Sequence, residues 1–99
     1  MAAATLPEVL EVLRARRDHV RETYKVELLG VFGSLARGDA RPDSDADVLA
    51  HFLKGTTLFR IAEVSIELEK TLGRRVDLAD RDNLRAHMRT NVERDFVPA

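Results

Sequence analysis

Apolar residues recur along this chain with two periods, one near 3.6 residues and one near 2, and the changes of period divide it into six elements. Leu6, Val9, Leu10, Leu13, Val20 and Tyr24 follow helical spacing, while Arg14, Arg16, Arg17 and Arg21 take much of the remaining surface. Thr5 and Glu8 have the spacing of a Thr-x-x-Glu capping box, and Pro7 falls in the first turn, where its missing N–H costs little. A first helix is predicted there, with one face on a sheet and its arginines in solvent.

From Val26 to Phe32 the chain is almost continuously apolar, too short for a good helix and stopped by Gly33, so it reads as a strand buried on both faces. A polar, proline-containing loop follows from Asp39 to Ser44. Alternation then resumes, with Ala46, Val48, Ala50 and Phe52 to one side and Asp45, Asp47, Leu49 and His51 to the other. This second strand has a core face and an acidic face. Gly55 and Thr56 break it, and Leu58, Ile61, Ala62, Ser65, Leu68 and Leu72 recur at helical spacing up to Gly73. Residues 74–79 predict a short third strand with Val76 and Leu78 toward the core and Asp77 away from it. Asp80 is placed to cap a last helix whose Leu84, Met88 and Val92 stripe reads as core. The order α-β-β-α-β-α predicts an α/β (α+β) fold: one domain over residues 1–99, a small mixed β-sheet flanked by helices on one face.

Composition narrows the partners. Ninety-nine residues with 44% apolar content supply one core, and the net charge of −1 gives no global field toward nucleic acid. Phosphate binding must then be local, and direct nucleic-acid binding is not expected. There is no cysteine, hence no disulfide or thiolate metal site. No apolar run is long enough to span a bilayer, and no signal-peptide pattern opens the chain, so the expected location is cytoplasmic with no membrane partner.

The chemistry lies between Gly33 and Val48, in GSLARGDARPDSDADV. Asp45 and Asp47 stand at i and i+2, so strand geometry projects both carboxylates from one face. They repel without a cation. Magnesium takes one or two protein carboxylates and fills its other positions with water and substrate phosphate. Asp77 has the same parity, and if its strand neighbours the second one, a two-metal site becomes available. Gly33 and Ser34 suit the other half of the site, because glycine permits close backbone approach and positive φ while turn amides and a hydroxyl donate to phosphate. Arg37 is placed to contact phosphate, or to pair with Asp39 or Asp43. A lone Gly-Ser is an ordinary turn and a lone Asp-x-Asp a solvated edge. All four residues at one fixed spacing arise by chance in roughly one chain of this length per thousand, which favours the functional reading. His51 reads as solvated or structural, and His19 and His87 have no partner pattern.

These residues resemble the nucleotidyltransferase superfamily that shares the DNA polymerase β catalytic fold, marked by Gly-Ser, a ten-residue gap, Asp-x-Asp and a later third acid. Here these are Gly33-Ser34, Asp45-Ala46-Asp47 and Asp77. GSLARG and SDADV look like the extended signature of its minimal form, the MNT-domain proteins, and the resemblance covers almost the whole chain. It implies transfer of a nucleoside monophosphate, AMP from ATP, onto a hydroxyl. Asp45, Asp47 and Asp77 would be catalytic metal ligands, and Gly33, Ser34 and Arg37 would bind the nucleotide. Two Mg2+ ions are implied, with Mn2+ as the alternative metal. The implied partner is a HEPN-domain toxin, a tyrosine of which accepts AMP in some members, making this chain the antitoxin. The chain's small size fits a protein acceptor. Two alternatives stay open: a free-standing enzyme acting on a small molecule such as an aminoglycoside, and an antitoxin acting by binding alone.

Overall fold

Thr5 begins the first helix as its neighbours dictate: its N–H and its hydroxyl both donate to Glu8 Oε1, at 3.0 and 2.9 Å. In the computed structural model, which describes residues 3–99, this helix is α1, Leu6–Tyr24. It ends where Lys25 turns left-handed at φ 58° and its N–H bonds the Arg21 carbonyl. The remaining elements are β1 (Val26–Phe32), α2 (Gly33–Arg37), β2 (Ala46–Phe52), α3 (Leu58–Leu72), β3 (Val76–Asp80), a 3-10 turn (Arg81–Asn83), α4 (Ala86–Asp95) and β4 (Val97–Pro98). The six predicted elements are joined by the short helix α2 and the two-residue strand β4.

The sheet runs β3-β2-β1-β4, and its middle pair is antiparallel. β3 joins β2 in parallel, with Asp47 opposite Asp77, after the crossover through α3. β4 adds antiparallel to the far edge, Val97 opposite Val31. Pro98 can sit there because an edge strand does not need every N–H.

On one face α1 and α3 close the main core, in which Val9, Leu13, Leu28, Val48, Val64 and Leu68 are fully buried. Covering apolar surface at roughly 25 cal/mol per Å2 is what holds these layers together. A smaller cluster of Phe32, Leu49 and Ala79 lies apart, packed with Leu84, Met88, Val92 and Phe96. The prediction of helices on one face is therefore corrected. α1 and α3 share one cluster, while α4 packs on residues of opposite strand parity, because Leu49 and Ala79 need their own cover. β1 serves both layers through a bulge: Leu28 pairs with Ala50 and Gly30 with Leu49, leaving Leu29 as the extra residue. That insertion lets Val31 join the main core and Phe32 the smaller one.

Two boundaries shift. The third strand begins at Val76, and Asp80 caps the 3-10 turn through the Asp82 N–H at 3.1 Å, with Leu84 lying before α4. On α3, Val64 fills the core position while Leu58 in the first turn is 86% exposed, because periodicity selects a face but not where the covering layer ends. No helix among the described residues is long and apolar enough to cross a membrane.

Candidate active site

β1 delivers an extended Phe32 to Gly33, which turns at φ 77° and starts α2. The turn is closed at its other end by Gly38, whose N–H reaches the Ser34 carbonyl at 3.1 Å, and by Asp39, whose N–H shares that acceptor at 3.1 Å. The first N–H groups of any helix lack acceptors within it. A β-carbon on Gly33 would collide with Asp47 Oδ2, so the Gly-Ser turn and the Asp47 carboxylate are in direct contact.

Asp45 lies one residue before β2 rather than within it, and Asp47 is the second residue of that strand. Asp77 is the second residue of β3 and the register partner of Asp47, so the two stand on neighbouring strands about 4.8 Å apart. The three carboxylates act on one another. Burial first, then the charges of Asp77 and Asp45, push Asp47 up to about 6, and Arg37 partly offsets them. The structure thus brings Gly33, Asp45, Asp47 and Asp77 into one place, with Ser34 following in the turn.

Asp45 Oδ1 accepts from Arg75 Nε at 3.2 Å, both side chains being well exposed. Such a pair stabilises by less than about 1 kcal/mol and can exchange. No three acidic or histidine side chains among the described residues converge tightly enough to enclose an ion. The donor set nevertheless suits a hard divalent cation. It offers carboxylate oxygens only, and the mutual repulsion felt at Asp47 is what a cation would relieve.

Arg37 is committed elsewhere. Its Nε donates to Asp39 Oδ2 at 3.3 Å and its Nη1 to Asp95 Oδ2 at 2.9 Å. Asp95 has a side chain only 4% exposed and also accepts from Arg94 Nε at 2.9 Å. Arg37 therefore braces α2 against α4 while still lowering the proton affinity of Asp47 through space. His51 Nε2 lies 3.0 Å from Asp82 Oδ2. The sequence alone did not single out Asp95, Arg75 or Arg74. Arg74 donates to the carbonyls of Ala4, Arg41 and Ser44 at 2.8, 2.8 and 2.9 Å, so it holds the loop that leads into Asp45. Its signal was the Arg-Arg pair immediately before β3.

Comparison with known proteins adds to this geometry. The nucleotidyltransferase domain family matches residues 13–97. A protein adenylyltransferase MntA of Thermococcus cleftensis is 39% identical over 97 residues, covering 98% of each chain. A solved structure described as a minimal nucleotidyltransferase is 42% identical, with a TM-score of 0.67 over 91% of this chain and 95% of that one. A toxin–antitoxin structure with AMP-PNP has the same fold at 21% identity, with a TM-score of 0.70 over 91% of this chain and 70% of that one.

Proposed function

This chain belongs to the nucleotidyltransferase domain family, and from that membership we propose that it transfers AMP from ATP to a tyrosine hydroxyl of a HEPN-domain toxin and so acts as its antitoxin. The observation that carries this reading is the contact between the Gly33 turn and Asp47, with Asp77 in register beside it. The match to a protein adenylyltransferase over nearly the full length of both chains supports a protein acceptor.

In this reading the outer phosphates of ATP rest on the Gly33-Ser34 turn, held by its amides and the Ser34 hydroxyl. Asp45, Asp47 and Asp77 would hold Mg2+, two ions when fully loaded, or Mn2+ in its place. When bound, the metal supplies charge neutralisation for the phosphates and lowers the pKa of the acceptor hydroxyl. Asp77, the most exposed end of the row, accepts the phenolic proton. The tyrosine oxygen bonds to the α-phosphorus as the bond to the α–β bridging oxygen breaks, and pyrophosphate leaves with its electron pair. Arg37 braces the phosphate turn from α4. Little covalent work falls to the protein, so positioning and charge carry the rate.

The test is intact mass of the partner toxin after incubation with this protein, ATP and magnesium. One or more added adenylyl groups are expected, and none with Asp45→Asn or Asp47→Asn. Normal labelling by either variant overturns the site. Protection of cells by the unlabelled double variant would move the reading to inhibition by binding alone.

A further inference from the structure

The cleft of about 450 Å3 between β3 and α4 borders Asp77 and is walled by Asp80, Asn83, Arg85, His87 and Met88. We propose that this cleft is the acceptor subsite, binding the tyrosine-bearing segment of the protein that receives the nucleotide, with Arg85 and His87 gripping the segment and Met88 flanking its ring. The proposal rests on the adenylyl-transfer reading and adds to it where the acceptor lies and which side chains select it.

Strand order fixes which side the acceptor comes from. The Gly33-Ser34 turn follows β1, Asp47 belongs to β2 with Asp45 one residue before it, and Asp77 belongs to β3, so phosphate turn, acid pair and cleft succeed one another across the sheet. The row spans two strand spacings, about 10 Å. Displacement at phosphorus is in line, with entering and leaving oxygens on opposite sides. With the outer phosphates at the β1 end, pyrophosphate departs toward β1. The entering oxygen must come from the β3 side, and the space there is this cleft.

The cleft's chemistry fits a phenol on a peptide. Leu84 and Met88 are anchored in the smaller apolar cluster and give the α4 side a fixed, apolar flank, on which an aromatic ring can rest against the thioether. Arg85 and His87 are exposed, and neither side chain has a hydrogen bond or ion pair among the described residues, in contrast to Arg37, Arg74 and Arg94. They are free to meet backbone carbonyls or acidic side chains flanking the tyrosine. The volume lies within the range of ligand sites and exceeds what a lone hydroxyl needs.

The experiment compares the unaltered protein, the double variant Arg85→Glu/His87→Ala, and Arg89→Glu, a charge-matched control on α4 outside the cleft walls. Steady-state transfer to the partner toxin should show KM for the toxin raised at least tenfold in the double variant, with KM for ATP and the affinity for AMP-PNP unchanged, and no change in the control. A weakened AMP-PNP affinity with an unchanged toxin KM overturns the proposal and gives the cleft to the nucleoside. Equal toxin KM in all three proteins also overturns it. A readout without turnover separates this from failure of the transfer reading. In 15N-labelled protein saturated with α,β-methylene ATP and magnesium, N-acetyl-tyrosinamide should shift the amides of residues 83–88, and should not in the double variant. Those shifts in the absence of any transfer would sink the adenylyl-transfer reading and keep the cleft, and their absence overturns the cleft.

Discussion

The carboxylate of Asp47 occupies the space a side chain at Gly33 would need: a β-carbon there would collide with Oδ2 and stand 3.2 Å from Cγ. Residue 33 also sits at φ 77°, where an L side chain is disfavoured by about 1–2 kcal/mol. Gly33→Ala should therefore lower the melting temperature and remove transfer together, because relief of the collision displaces a metal-facing carboxylate. A thermal melt and the toxin-labelling assay check both. A fully active alanine variant would show that the turn does not set the position of Asp47.

Much of this arrangement was legible in the sequence, for local reasons. The bounds of β1 are set by a continuous apolar run and a glycine, and the parity of Asp47 and Asp77 follows from their apolar neighbours Ala46, Val48, Val76 and Leu78. What was not legible depends on which strands and helices become neighbours. Leu49 lies between Asp47 and His51 on the face read as acidic, yet it is buried by α4. An apolar residue on a polar face, beside a first strand apolar on both faces, was the local sign of that second layer. Arg75 meets Asp45, and Arg37 meets Asp95, across 30 and 58 residues of chain, distances at which periodicity carries no information.

Asp47 should make the metal-free protein less stable at neutral pH. Its folded pKa of about 6 lies above the ordinary 3.8, so the native state keeps a proton that the unfolded chain has released. Its stabilising contribution is present below about pH 4, is lost as pH rises through about 6, and leaves a penalty above that. A dry site would make this roughly 3 kcal/mol, and half-burial with solvent screening reduces it to about 1 kcal/mol. Asp47→Asn should thus melt higher than the parent at pH 7.5 in EDTA while losing transfer. Magnesium should raise the melting temperature of the parent and leave the variant unmoved. Equal melting of the two proteins in EDTA across pH 4 to 8 would refute the penalty that burial, and then the neighbouring carboxylates, place on a charged Asp47.

Asp95 is the buried hinge of the contact between α2 and α4. The Arg94 hydrogen bond first, then Arg37, holds its carboxyl below the usual carboxylate range. Its contribution is therefore present above the unfolded pKa and fades as pH falls through the lowered folded value. Asp95→Ala should lower the melting temperature at pH 7, with the difference from the parent shrinking on strong acidification. It should also raise KM for ATP, because Arg37 loses its brace and α2 its tether. Urea unfolding across pH, together with ATP kinetics, tests the two halves separately.

The carboxy-terminal strand should depend on the lack of a side chain at Gly30. A β-carbon there would strike the Val97 carbonyl oxygen and stand 2.7 and 2.9 Å from two carbons of the Phe96 ring. Both obstacles are held in place, since Ala99 N–H bonds the Leu29 carbonyl at 3.0 Å and Arg17 Nη2 grips the Ala99 carbonyl at 2.6 Å. Gly30→Ala must therefore displace β4 or strain the small cluster that Phe96 shares with Phe32 and Leu49. Overpacking of this kind costs about 1–3 kcal/mol. The expected result is a lower melting temperature and faster amide exchange at Val31 and Ala99, with exchange in α3 unchanged because its buried residues belong to the other core. Asp47 is paired with Phe32, two residues further along β1, so AMP-PNP affinity should fall only modestly. Protection at Ala99 equal to the parent's would mean that β4 tolerates a side chain at residue 30.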